Sequence, residues 1–185
     1  MRLKKPRKEN VYAFIDSQNL NLGTQRMGWK IDWRKFRKFL ADEYGVTKAY
    51  MFIGYMSENE SLYEYMYELG FLVVLKPTVD TSSHDDNAEP RKPTDEKEKS
   101  TVKGNVDAEL VLYAMKEMSN YQKAIIVSGD GDFFSLAEYL DQKGRLANIL
   151  TPNWQYSTLL KVFEPKIVRL DQLRRQLAYH DRKKK

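Results

Sequence analysis

The sequence contains no cysteine and two histidines among its 185 residues. The absence of thiols excludes disulfides, thiolate metal sites and a cysteine nucleophile, and it suits a reducing compartment. Because zinc sites usually draw on thiolates and imidazoles, we expect no zinc site. Long apolar runs are also missing: none approaches the roughly 20 residues that span a bilayer, and the stretch VYAFI is too short for a signal peptide. We therefore expect a cytoplasmic protein with no membrane partner.

The apolar content is sufficient for one core. Hydrophobic residues make up 42% of the chain and aromatic residues 12%, which suits a single domain of this length. The net charge of +5 is uneven because basic residues crowd both ends. These residues are Arg2, Lys4, Lys5, Arg7, Lys8, Arg182, Lys183, Lys184 and Lys185. The ends are read equally well as polyanion-binding segments or as disordered tails. We place a basic tail at 1–9, the domain at 10–172, and a basic helix end and tail at 173–185.

Five short, continuously apolar runs indicate strands buried on both faces of a parallel sheet. They span residues 11–15, 49–55, 71–75, 124–127 and 146–150. Helical segments lie between them, one capped by Asp32, another opened by a capping box of Ser57 and Glu60, and three ending at glycines. This order predicts an α/β fold of three layers, with a mainly parallel central sheet of about five strands and helices on both faces.

Four aspartates lie where a metal site would be expected in such a fold. Asp16 directly follows the first strand, and Asp130 and Asp132 follow the fourth in the turn SGDGD. Because the carboxyl ends of parallel strands lie at one edge of the sheet, these three side chains are expected to be close together. Asp107 begins an apolar helical stripe and is expected to face the sheet. The rest of that stripe is Leu110, Val111, Ala114 and Met118.

Each of these acids also has a purely structural interpretation. Aspartate and glycine dominate tight turns and helix caps, and an acid in the first turn of a helix is favoured by the helix dipole. If the carboxylates do meet, however, they need a counter-charge, since two charges about 4 Å apart repel by roughly 4 kcal/mol near a protein surface. Carboxylate ligands without thiolates favour one or two Mg²⁺ or Mn²⁺ ions.

The motifs of several other enzyme classes are missing from this sequence. Haloacid-dehalogenase-like phosphatases need a second aspartate two residues after the first, and this chain has Gln18 there. The nucleotide-binding patterns GxxxxGK[ST] and GxGxxG and the hydrolase elbow GxSxG are also absent from the sequence.

Several further segments have weaker functional interpretations. The polar stretch 77–102 is expected to be a flexible loop beside the active edge, and its His84, Asp85 and Asp86 are read as solvated. The basic run 30–38 on the first capped helix is either a nucleic-acid backbone face or a solvated surface. Aromatic residues near element ends can stack on bases, although such residues more often serve packing. They are Trp29, Tyr55 and Trp154.

Three motifs resemble those of the NYN domain family, a LabA-like branch of the PIN-like nucleases. They are FIDSQNL at 14–20, KGNVDAEL at 103–110 and SGDGDF at 128–133. The resemblance covers about residues 10–172 and implies a PIN-like Rossmannoid fold. Ser17 and Gln18 depart from the glycine-containing form DGxN that the first motif often takes.

The resemblance also implies a function: metal-dependent hydrolysis of RNA, with Asp16, Asp107, Asp130 and Asp132 as the metal-binding and catalytic acids. Asn19 would fix the first aspartate or contact the substrate. Lys103 is a candidate for neutralising a phosphate, against the alternative of a solvated surface lysine. The expected partner is single-stranded RNA, and a homo-oligomer has no support in the sequence. The competing interpretation is a non-catalytic RNA-binding or regulatory protein that keeps the fold.

Overall fold

A computed structural model describes residues 9–55, 57–76 and 106–180. The stretch 77–102, with His84, Asp85 and Asp86, lies outside the described residues. Lys103 and both charged ends, 1–8 and 181–185, lie outside them as well. Within the described ranges, no helix combines the length and apolarity needed to cross a bilayer.

The described residues form one parallel sheet of six strands, one more than the sequence predicts. The strands are β1 (Val11–Asp16), β2 (Val46–Gly54), β3 (Leu72–Lys76), β4 (Lys123–Val127), β5 (Leu146–Thr151) and β6 (Ile167–Arg169). Their spatial order is β3-β2-β1-β4-β5-β6. The additional strand, β6, has three residues and pairs with β5 at the edge of the sheet, so it has no apolar run long enough to recognise.

Helices connect the strands. They are α1 (Ser17–Arg26), α2 (Trp33–Tyr44), α3 (Glu60–Glu68), α4 (Asp107–Lys116), α5 (Phe134–Gln142) and α6 (Arg174–Leu177). Segments of 3-10 helix cover Ser57–Asn59, Gly131–Phe133, Thr158–Lys166 and Leu170–Leu173.

The expected helix signals hold at α2, whereas at α3 the stop at Gly70 holds, with a φ of +83°, and the start signal does not. Asp32 caps α2 by accepting a hydrogen bond from the Lys35 backbone N–H at 3.1 Å, and Gly45 ends this helix with a φ of +66° that favours glycine. The capping box expected at Ser57 and Glu60 is wrong. Ser57 belongs to a 3-10 turn, and α3 begins only at Glu60, where its cap residue Asn59 makes no side-chain capping bond.

Two apolar cores lie on opposite faces of the sheet, which confirms the three-layer α/β architecture. Successive β1 residues alternate between them: Ala13 and Ile15 belong to one core, and Tyr12 and Phe14 to the other. This double burial explains why the strand sequences are apolar throughout. The α4 stripe packs against the second core, where Leu110 and Ala114 are fully buried, and two further stripe residues, Val111 and Met118, are partly buried.

The strand order reverses direction between β1 and β4. The chain proceeds outward from β1 through β2 to β3, then returns to place β4 on the other side of β1. In open α/β sheets, ligands bind beyond the carboxyl ends of the strands at such a switch point. Ile15 pairs with Val127, so Asp16 and Ser128 come next on the two strands that flank the crevice.

Candidate active site at the switch point

Asp16 is a buried carboxylate held by two hydrogen bonds. The residue is 5% exposed and stands at the junction of β1 and α1, where its extended backbone makes it the N-cap of the helix. Its Oδ1 accepts the backbone N–H of Asn19 at 3.0 Å, and its Oδ2 accepts the hydroxyl of Ser128 at 3.2 Å. One oxygen thus caps α1, and the other binds the turn after β4.

The turn after β4 is tied to β1 and α1 by a short chain of hydrogen bonds. Ser128 Oγ accepts the Asp130 N–H at 3.1 Å while it donates to Asp16. The Asn19 side-chain oxygen accepts the Gly129 N–H at 2.9 Å. Asn19 therefore binds both Asp16 at the end of β1 and the turn after β4. Asp130 Oδ1 accepts the Asp132 N–H at 3.0 Å and so caps the 3-10 turn that follows. These bonds fix the spacing between Asp16 and Asp130.

The pKa of Asp16 is raised from the ordinary 3.8 to about 6. Burial is the main cause, because it removes water from around the charge. The hydrogen bonds from Asn19 and Ser128 favour the carboxylate and oppose this shift, whereas the negative charges of Asp107 and Asp130 add to it. Asp107 and Asp130 therefore lie within electrostatic reach of Asp16, although Asp107 enters from α4 and not from a strand.

The four predicted acids are not equivalent in the structure. Asp16, Asp107 and Asp130 form an electrostatically coupled group, with Asp107 and Asp130 partly exposed. Asp132 is exposed on the 3-10 turn, and its side chain is not among the charges that perturb Asp16. In residues 9–55, 57–76 and 106–180, no three acidic or histidine side chains converge closely enough to form a ready-made metal site.

Two contributors to the site were not predicted from the sequence. The motif SGDGDF suggests no role for Ser128, yet this residue is buried and bridges Asp16 and Asp130. The loop after β5 was also missed. Ser157 of this loop donates its backbone N–H to Gly129 O at 2.9 Å, and a side chain at Gly131 would collide with Ser157. The glycines of SGDGD thus permit close packing of two loops, a reason that the motif alone does not reveal.

The basic run on α2 is largely engaged within the molecule. Lys35 Nζ donates to Ala178 O at 2.7 Å, and Arg37 Nε donates to Gly70 O at 3.0 Å. Lys38 pairs with Asp42 one turn along the helix. Three of the five cations considered for a backbone-binding face therefore have structural partners, which weakens that interpretation.

The three aromatic residues considered for base stacking differ in their burial. Trp29 is 6% exposed and belongs to the first core, so it serves packing. Tyr55 is partly buried, and its ring lies 6.1 Å from that of Tyr63. Trp154 is 57% exposed in the loop after β5, at the same edge of the sheet as the aspartates.

The architecture and this edge define a Rossmann-like α/β domain with a carboxylate-bearing crevice at its switch point. The model of the NYN domain matches residues 10–170, and the chain belongs to this family, which is typically a nuclease domain. It is similar to the low amplitude and bright protein LabA of Synechococcus elongatus, with 23% identity over 172 residues, 91% of this chain and 87% of LabA. A crystal structure of a protein of unknown function from Vibrio parahaemolyticus shares the fold, with a TM-score of 0.71, 21% identity, and coverage of 96% of this chain and 100% of that one.

Proposed function

We propose that the protein is a metal-dependent ribonuclease that hydrolyses RNA phosphodiester bonds at the β1/β4 crevice. The observation that carries the proposal is the buried carboxylate of Asp16, whose pKa is raised to about 6 by burial and by Asp107 and Asp130 at the switch point. Family membership supports the same activity, since NYN domains are typically nucleases.

The donor chemistry fits a hard divalent cation. Asp16, Asp107 and Asp130 offer carboxylate oxygens that repel one another, and Mg²⁺ or Mn²⁺ would convert this repulsion into attraction. Asp132, two residues beyond Asp130, is the fourth ligand proposed from the family motif. One or two ions would be held, with Lys103 as the proposed phosphate contact. When bound, the cation supplies activation of water and neutralisation of charge on the phosphate.

Hydrogen bonds within the protein would position the carboxylates that bind the cation. Ser128 and the Asn19 backbone N–H hold the two oxygens of Asp16, and they also favour its ionised form, which is the form that binds a cation. The Asn19 side chain fixes Gly129 and with it the turn that carries Asp130. Ligands that are positioned before the reaction cost no reorganisation in the transition state.

A non-catalytic RNA-binding or regulatory protein is the second candidate. One observation favours it: the described acids do not converge into a three-ligand set in their present rotamers. A chain that keeps the fold and binds RNA through its cationic surfaces would need no such convergence.

Cleavage of labelled single-stranded RNA decides between these candidates. Purified protein is incubated with Mn²⁺ or Mg²⁺, with and without a chelator, beside Asp130→Asn and the control Asp42→Asn, which changes an exposed acid on α2. The ribonuclease proposal expects cleavage by the wild type and the control, and its loss with chelator or in Asp130→Asn. Cleavage that survives both treatments contradicts it. If none of the three proteins cleaves RNA but all bind it with strong salt dependence, the protein is assigned to the second candidate, the RNA-binding role.

A further inference from the structure

A groove lies beside the candidate active site, between the loop after β5 and the end of β6. It has a volume of about 630 Å³, and its lining includes Trp154, Tyr156, Lys161 and Arg169. None of these residues belongs to the motifs that carry the family resemblance. The groove runs along β6 and reaches the loop after β5, which leaves the sheet at the same edge at which β1 and β4 place Asp16 and Asp130.

The groove is continuous with the turn that carries Asp130. Tyr156 packs on that turn, because a side chain at Gly129 would meet the Tyr156 Cβ at 3.2 Å. The next residue, Ser157, donates its N–H to Gly129 O. An RNA strand that has one phosphate at the aspartates would therefore continue along the sheet edge into the groove.

Trp154 is presented to solvent by a rigid loop. Its neighbour Asn153 is buried, and the Asn153 side chain donates to Gly23 O at 2.9 Å and accepts the Gln155 N–H at 2.7 Å. These bonds hold the backbone on either side of the exposed indole, which lowers the cost of ordering the loop on binding. The other two tryptophans differ from it: Trp29 is buried and Trp33 is half-buried in the core.

Cationic side chains accompany the aromatic ones. Arg169 at the end of β6 is engaged by Asp171, which accepts from its Nε at 3.1 Å and from its Nη2 at 2.5 Å, so this ion pair already offsets its charge. Lys161 is exposed on the 3-10 segment Thr158–Lys166, and Glu164 is the one acid in the groove's described lining. Aromatic faces with flanking cations are the arrangement that binds single strands, whose bases stack while their phosphates meet positive charge.

We infer that this groove binds single-stranded RNA next to the bond to be cleaved, with one base stacked on Trp154 and the backbone near Lys161. The inference rests on the proposed function for its choice of RNA. A duplex is a poor ligand for such a surface because its bases are already stacked on one another and hide their faces. The groove would thus make the enzyme select unpaired segments.

Equilibrium binding in the presence of a chelator tests the groove separately from cleavage. The probe is a fluorescein-labelled 12-nucleotide oligouridine, compared with a blunt RNA duplex. Trp154→Ala is expected to weaken oligouridine binding by roughly 5- to 150-fold, the loss typical of one stacked base, and Trp154→Phe to restore most of it. Tyr67→Ala is the matched control, since Tyr67 is 55% exposed and lies near the end of α3. It should bind as the wild type does.

Two further readouts separate stacking from a change in fold. Oligouridine should quench the tryptophan emission of the wild type, and this quenching should disappear in Trp154→Phe, where the two core tryptophans remain. Lys161→Ala should lower the slope of log affinity against log salt by about 0.7, the value for one phosphate contact on a single strand.

The outcomes distinguish this inference from the proposed function. If Trp154→Ala binds oligouridine as tightly as the wild type, the groove is not the RNA site, and the ribonuclease proposal is unaffected. If Trp154→Ala weakens binding but no RNA is cleaved with Mn²⁺, the groove stands and the ribonuclease proposal fails. A wild type that binds the duplex better than the oligouridine, or binds neither, overturns the inference.

Discussion

Replacement of Asp16 with asparagine is expected to stabilise the metal-free protein at neutral pH. Asparagine keeps an oxygen that can accept the Asn19 N–H, and it is as good an N-cap as aspartate. The substitution removes a negative charge that is 5% exposed and lies close to two others, those of Asp107 and Asp130. A site built only to cap α1 would lose stability on this change, or remain unaffected.

The magnitude follows from the pKa of Asp16, which is about 6 in the folded protein against an ordinary 3.8. A shift of about 2 units at 1.36 kcal/mol each is worth about 3 kcal/mol. Because the folded state holds the proton more tightly, this stability is fully present below pH 3.8 and is lost as the pH rises through about 6. Weaker hydrogen bonding to a neutral side chain offsets part of the gain. We therefore expect Asp16→Asn to be more stable by about 1–3 kcal/mol at pH 7.5.

The advantage of the variant should shrink by about 1 kcal/mol at pH 5, where the folded wild type is already largely protonated. Urea unfolding at both pH values, with chelator present, measures it. Asp32→Asn is the control, since Asp32 also caps a helix through its side chain but is not among the charges coupled to Asp16. A loss of more than about 1 kcal/mol for Asp16→Asn at pH 7.5, or a difference that is the same at both pH values, would refute the reasoning.

Three other predictions test neighbouring parts of the argument. Mn²⁺ at 100 times its dissociation constant should stabilise the wild type by about 2.7 kcal/mol in thermal unfolding, and it should leave the melting temperature of Asp16→Asn nearly unchanged. With Mn²⁺ kept well below its dissociation constant, RNA cleavage should fall as the pH drops through about 6, because protons and the cation compete for Asp16; a rate that stays flat from pH 8 to 5 at that Mn²⁺ concentration would contradict this. Gly23→Ala should destabilise the fold by about 1–3 kcal/mol in urea, because its Cβ would collide with the Pro152 ring, whereas Leu22→Ala beside it should cost less.

The sheet was predictable because its strands carry local signals. Residues 11–15 and 124–127 are apolar without interruption, and the structure buries them on both faces of the sheet. Topology then brings Asp16 and Asp130 to adjacent strand ends, although 114 positions separate them in the sequence. The strand β6 was not predictable in this way, since three residues that follow Pro165 have too short a pattern to distinguish a strand from a loop.

The bonds that organise the site could not be read from the sequence, because they join residues far apart in the chain. Ser128 reaches Asp16 across 112 positions, and Gly129 reaches Asn19 across 110. Serine, glycine and aspartate are typical turn residues in any protein, so the role of Ser128 depends on which strand lies beside it. The same is true of the loop after β5. Its composition is ordinary, and only the close packing of Tyr156 and Ser157 on the glycine turn links it to the aspartates.

Capping of α1 does not by itself require Asp16 to be buried. Asp32 performs the same capping task on α2 while it is partly exposed, where a charge keeps most of its hydration. Asp16 instead places its charge in the crevice at a cost of about 3 kcal/mol at neutral pH, a large share of the 5–15 kcal/mol that typically stabilises a domain. That cost already includes the opposing effect of the hydrogen bonds from Ser128 and Asn19, which reduce it without removing it. The proposed cation between Asp16, Asp107 and Asp130 would offset the cost that these bonds leave.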